Sequence, residues 1–152
     1  GTGSVSVEAA LQDGSIRVYA VERNPEGIAL IQENKRKWRT DQVEIVAGNA
    51  PEALSDLPAP THVFIGGSGS RLKEIVETCL SKNSSVRIVL TAVSMETIRE
   101  MTELLQDSRW ETAEVMQIQA SGSRKMGAYH LMTAQNPVWM AVFQGRKEAD
   151  HE

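Results

Sequence analysis

Apolar positions fall into short clusters separated by polar, glycine- and proline-containing breaks, and the clusters alternate in period. Ser4 to Gln12 has helical character and stops at Asp13-Gly14, a turn dipeptide. Ile16 to Val21 is an apolar, β-branched run and predicts a strand that Glu22 ends. Asn24-Pro25 then predicts a helix start. Asparagine caps well, and proline fits the first helical position, where its missing N–H costs nothing. Ile28, Ile31 and Trp38 fall on one face of that helix, and Lys35, Arg36, Lys37 and Arg39 crowd its end, where cations suit the helix dipole.

The alternation continues. Val43 to Ala47 predicts a strand, and Glu52 to Asp56 a short helix closed by Pro58 and Pro60. His62 to Ile65 predicts a strand running into Gly66-Gly67-Ser68-Gly69. Leu72, Ile75, Val76, Cys79 and Leu80 sit at i, i+3, i+4, i+7 and i+8, a single apolar stripe. Val86 to Thr91 predicts a buried strand, and Ser94 caps a helix that turns Ile98, Met101, Leu104 and Leu105 inward. Thr112 to Gln119 predicts a half-exposed strand, Ser121 to Gly127 a polar loop, Val138 to Phe143 a last strand, and Gly145 to Glu152 a charged tail. Alternating strands and helices imply an α/β fold with a parallel sheet, and the closing strand pair an antiparallel hairpin at its edge. No linker splits the chain, so residues 1–152 are expected to form one domain.

Composition narrows the function. With 16 basic and 20 acidic residues, the net charge of −4 lacks the dense basic face that nucleic acid requires. The single cysteine, Cys79, cannot form an internal disulfide, which points to a reducing, cytoplasmic setting. No apolar run reaches the roughly 18 residues of a membrane span. The three histidines show no metal spacing: His62 opens a strand, His130 follows the Arg124 loop and His151 lies in the tail. Gly1 is not methionine, and the chain opens as though in mid-fold.

In open α/β sheets ligands bind beyond the carboxyl ends of the strands. That rule selects Gly1 to Ser4, Glu22 to Asn24, Gly48 to Ala50, Gly66 to Ser70 and Thr91 to Val93. Gly1-x-Gly3 before a helix lets backbone approach a ligand, or is simply a tight turn. Glu22 follows Gly3 by 19 residues, near the spacing at which an acid holds a ribose. Ser6 stands where a dinucleotide fingerprint needs its third glycine, so S-adenosylmethionine, a nucleoside with no phosphate, fits better. Asn49 can meet an adenine edge or cap a helix. The Gly-Gly-Ser-Gly run gives room to a bulky substrate or is a flexible turn, and no lysine follows it to make a phosphate loop. Cys79 reads as core, and the Lys35–Arg39 cluster as a solvated helix end. Arg124 and Lys125, on a mobile loop, would present cations to substrate carboxylates.

Val18-Tyr19-Ala20-Val21-Glu22-Arg23-Asn24-Pro25-Glu26, Gly48-Asn49-Ala50-Pro51-Glu52-Ala53-Leu54, Gly66-Gly67-Ser68-Gly69 and Asn136-Pro137-Val138 together resemble the CbiT-type precorrin-6Y (precorrin-8w) C-15 methyltransferases, over essentially the whole chain. That resemblance implies a class I, Rossmann-like S-adenosylmethionine-dependent methyltransferase fold. It also implies methylation of a precorrin with loss of carbon dioxide in cobalamin biosynthesis, S-adenosylhomocysteine as product, and a homotetramer. The family includes both stand-alone enzymes and domains fused to an upstream methyltransferase. Carried over, Gly1, Thr2 and Gly3 face the methionine part of the cofactor, with Ser4 beside them. Glu22 holds the ribose, Arg23 flanks the adenine, and Asn49 and Ala50 line its edge. Gly66 borders cofactor and substrate; Gly67, Ser68 and Thr91, with Arg124 and Lys125, fall to the substrate. No catalytic side chain is assigned. Asparagine at 49 replaces the family's usual aspartate, keeping an acceptor oxygen without the charge. The family's first strand would precede Gly1, so upstream residues are expected in the native polypeptide. The rival readings are a class I methyltransferase for another small molecule or a protein, and a non-catalytic module of the same fold.

Overall fold

The computed structural model describes residues 1–147; His151 and most of the expected charged tail lie outside them. Two compact units divide the chain, Gly1–Leu57 and Pro58–Glu152.

The first unit is built on a parallel strand pair, β1 (Val18–Glu22) and β2 (Val43–Ala47), with Glu22 opposite Ala47. β1 starts two residues later than its apolar run. Asp13 Oδ1 accepts from the Ser15 amide and hydroxyl, and its carbonyl from Ile16 N, so the turn consumes Ile16 and Arg17. Helix α1 (Ser4–Gln12) matches its pattern, and Gln42 Nε2 donates to the Ala10 carbonyl at 2.7 Å near its end. Helix α2 (Pro25–Trp38) begins as expected, with Asn24 Oδ1 accepting from Glu26 N at 2.9 Å. Ala10, Ala20, Ile31 and Val43 form the core, flanked by Val18 and Ile45. Trp38 departs from expectation: it is 52% exposed. It is the last helical residue before Arg39 turns left-handed, and its ring carries the Lys37 ammonium 5.6 Å from its centroid. The helix expected at 52–56 tightens to a single 3-10 turn, Glu52–Leu54.

The second unit has a four-stranded sheet in the order β3 (His62–Ile65), β4 (Arg87–Ala92), β8 (Val138–Gly145), β5 (Trp110–Ile118). β3 and β4 are parallel; β8 is antiparallel to both of its neighbours, which makes the expected antiparallel edge pair. The stripe of helix α3 (Leu72–Lys82) is wholly buried, Cys79 included. Burial raises the Cys79 thiol pKa, as suits a core residue. Helix α4 (Met95–Leu104) is capped by Ser94, whose hydroxyl accepts from Thr97 N. Trp110 packs against Phe143 with centroids 5.0 Å apart, and its Nε1 donates to the Leu104 carbonyl at 3.0 Å. The indole thus buries its rings without orphaning its N–H.

Two expectations fail in this unit. β5 is exposed along its whole length after Trp110, because it is the sheet's outer strand, covered by neither helix nor sheet neighbour on its free side. The residues expected to loop from Ser121 to Gly127 instead form strand β6 (Ser121–Met126), paired antiparallel to β7 (Tyr129–Ala134). A two-residue turn joins them, and Gly127, at φ +60°, takes its first central position, where a left-handed residue matches strand twist.

Arg109 locks the loop before β5. Its guanidinium donates to both Glu77 oxygens at 2.7 and 2.6 Å, and to Asp107 at 2.6–3.1 Å. These hydrogen bonds hold the Glu77 and Asp107 carboxyls below their ordinary pKa and push the Arg109 pKa up. A depressed carboxylate pKa contributes stability above the unfolded value, and that contribution is lost as pH falls through the folded one. Arg109→Gln should therefore cost about 1 kcal/mol at neutral pH, discounted for the partial exposure of the groups. The gap from wild type should close between about pH 5 and pH 2 in urea melts. Gly3 sits at φ +71°, and a Cβ there would lie 2.8 Å from Ile31 Cγ1. Gly3→Ala should cost about 2 kcal/mol in the same melts, from left-handed strain plus overpacking.

Candidate functional site

β1 and β2 deliver the chemistry of the first unit to one end. Glu22 closes β1, Gly48 N donates to its carbonyl at 3.0 Å, and Asn49 and Ala50 follow. Above Glu22 the chain turns at once into α2, so the amides of Arg23 and Asn24 point back at its side chain. Both donate to Glu22 Oε1, at 2.9 and 2.8 Å. Glu22 Oε2 pairs with the Gly1 nitrogen. The carboxylate is only 14% exposed, yet it lines a cleft of about 380 Å³ with Gly1, Thr2, Arg23, Asn24, Glu26, Gly27 and Leu30.

Three residues outside the sequence reading make this geometry. A Cβ on Gly27 would meet the Glu22 Cδ and Cγ at 2.9 Å, so only glycine lets the helix pass the carboxylate. Asn34 Nδ2 donates to the Thr2 carbonyl at 3.0 Å, tying the Gly1–Gly3 bend to the third turn of α2. Leu30 supplies an apolar wall. Gly27 carried a signal, since a glycine inside a helix usually marks a close approach; Asn34 and Leu30 carried none.

The expected residues of this unit are thus placed as follows. Gly1, Thr2, Glu22 and Arg23 share the cleft. Gly3 caps α1 through its backbone, and Ser4 opens the helix. Asn49 is exposed, and its carbonyl, not its side chain, accepts from Ala53 N, so its amide makes no helix cap. Oε1 takes two amides and Oε2 the Gly1 nitrogen, so a ligand would reach the carboxylate at Oε2 by taking that nitrogen's place. A ribose hydroxyl or an ammonium suits it, and a phosphate does not.

In the second unit, Ile65 pairs with Leu90, which brings Gly66, Gly67 and Ser68 level with Thr91 at the carboxyl ends of β3 and β4. Gly67 has nothing within 4 Å of where a Cβ would be. Ser68 Oγ is buried without a hydrogen-bond partner among the described residues. Arg124 and Lys125 are not on a loop. They are neighbours on β6, opposite Leu131 and His130, and so project to opposite faces of the hairpin. The two cations cannot jointly grip one substrate face from this strand.

No helix among the described residues is long and apolar enough to cross a membrane. Among solved structures, a precorrin-6y C5,15-methyltransferase from Geobacter metallireducens superimposes with a TM-score of 0.85 at 35% identity, covering 95% of this chain and 76% of that one. An S-adenosylmethionine-dependent O-methyltransferase from Thermotoga maritima shares the fold at 16% identity, TM-score 0.74, over 99% of this chain and 58% of that one. The α/β architecture is that of class I methyltransferases. A probable cobalt-precorrin-6B C(15)-methyltransferase (decarboxylating) of Pyrobaculum calidifontis is 39% identical over 142 residues, 92% of this chain and 72% of that protein. The model of the precorrin methyltransferase domain matches residues 1–144, and the chain belongs to that family.

Proposed function

We propose that this chain methylates C-15 of a precorrin and, in the same turnover, removes carbon dioxide from an acetate side chain, a step of corrin-ring synthesis. The observation that carries the reading is the Glu22 carboxylate, held by two backbone amides at the edge of a cleft in a chain of this family.

The cleft fits S-adenosylmethionine. Its wall is backbone at Gly1 and Gly27, apolar at Leu30 and anionic at Glu22, which suits a nucleoside with a cationic tail and no phosphate. When bound, the cofactor supplies an electrophilic methyl group on a sulfonium. Glu22 would hold the ribose, Arg23 would flank the adenine, and Asn49 and Ala50 would line its edge. Gly1 to Ser4 would run beside the methionine moiety, and Gly66 is assigned to the ligands by family resemblance alone. Gly67, Ser68 and Thr91 meet the tetrapyrrole. Whichever of Arg124 and Lys125 lies on the substrate side would meet a carboxylate. Alignment of an electron-rich carbon with the methyl is the main contribution asked of the protein, and it can lower the barrier by several kcal/mol. Electrons from the broken carbon–carboxylate bond enter the conjugated macrocycle, so no acid–base triad is needed.

The protein is further read as a cytoplasmic homo-oligomer, a tetramer by family resemblance. The β6–β7 hairpin supports association. Among the described residues it pairs only with itself, all its residues are exposed, and Met126, Tyr129, Leu131 and Met132 are open on it. A lone two-stranded hairpin is marginal in water, and a second copy of the chain would cover it.

Glu22→Gln keeps an acceptor for the two amides and removes the charge. It should weaken S-adenosylhomocysteine binding about tenfold in calorimetry with little change in melting temperature. Wild type given precorrin and methyl-labelled cofactor should show methyl incorporation and carbon dioxide release in equal amounts; absence of both would overturn the reading. Leu131→Lys with Met132→Lys should shift light-scattering mass toward the monomer.

A further inference from the structure

The register of the four-stranded sheet gathers a second set of strand ends. Ala92, the last residue of β4, lies opposite Trp139 of β8; Gln117 of β5 also lies opposite Trp139, and Ile118 opposite Val138. Gly66 and Gly67 extend the same edge beyond β3. Four strands at ordinary spacing span about 14 Å.

That edge carries exposed apolar side chains, with the exposed Glu96 next to Met95 in the first turn of α4. Val93 and Met95 flank the capping Ser94 and are 65% and 77% exposed, and Ile118 is 48% exposed. Scattered single apolar residues on a surface need no explanation, but these three line one sheet end beside two glycines that present no side chain. The carboxyl ends of β3 and β4 are where an α/β sheet receives its ligand. A small polar ligand gains nothing from such a surface. A flat, conjugated ring system of tetrapyrrole width gains burial of its face, while the carboxylates on its rim project past the apolar side chains into water.

We infer that Val93 and Met95, with Ile118, form an apolar shelf that takes one face of the macrocycle, and that Val93 and Met95 set the specificity for it. This assignment rests on the methyltransferase reading above. Neither side chain supports the core, since both are mostly in solvent, so their exchange leaves the fold intact.

The test compares wild type, the Val93→Ser/Met95→Gln double variant and the Val93→Ile/Met95→Leu double variant, each as the full chain. The readouts are precorrin KM and kcat, S-adenosylhomocysteine affinity and light-scattering mass. The polar variant should raise precorrin KM about tenfold or more, with cofactor affinity within twofold of wild type and mass unchanged. The apolar variant should return KM to within about threefold of wild type. An unchanged KM in the polar variant overturns the shelf and leaves the methyltransferase reading standing. A change in mass, or loss of folding, also overturns it, because the side chains then serve another copy or the core. A wild type that binds S-adenosylhomocysteine but never turns over precorrin overturns both.

Discussion

The first unit depends on a carboxylate held still by its own backbone. Glu22 ends a strand, and the chain reverses so tightly into α2 that the next two amides aim at Oε1. Both hydrogen bonds lie at the exposed end of the strand, and together they fix the direction of the carboxylate. The turn is possible because Asn24 and Pro25 start the helix immediately, and because Gly27 yields the volume that the carboxylate fills. Everything else at this end follows from that packing, including the Gly1–Gly3 bend secured by Asn34.

Glu22 is met by two backbone amides on Oε1 and by the Gly1 nitrogen on Oε2. That distinguishes it from Glu77, whose charge is met by a guanidinium. The first arrangement holds its carboxylate with main-chain nitrogens at the rim of a cleft; the second consumes its carboxylate in holding a loop. The two acids differ in exposure, 14% for Glu22 against 44% for Glu77, and in which donors approach them.

Elements with one buried face were legible in the sequence. The α3 stripe, the Asn24-Pro25 start, the Ser94 cap and β2 and β3 stand where pattern and turn chemistry put them. The β6–β7 hairpin was not legible, because a ribbon exposed on both faces has no reason to alternate, and Ser121-Gly122-Ser123-Arg124-Lys125 reads as loop. The one local clue was Gly127. Trp38 was misjudged for the opposite reason: its helical phase was right, but it lies on the last turn, where the residue is mostly in solvent. At the cleft, Glu22 was visible through spacing, whereas Gly3, picked out with it, caps α1 through its backbone. The role of Gly27 needs the third dimension, since it is defined by an atom it lacks.

The three tryptophans are divided between the two units, with Trp38 in the first and Trp110 and Trp139 in the second. Their surroundings differ as well: Trp38 is open to water beside an ammonium, whereas Trp110 is sealed against Phe143. Intrinsic fluorescence therefore carries a red-shifted signal from Trp38 and a blue-shifted one from Trp110, with half-buried Trp139 adding an intermediate emission to the second unit. Each half of the molecule is its own optical reporter, with no label attached.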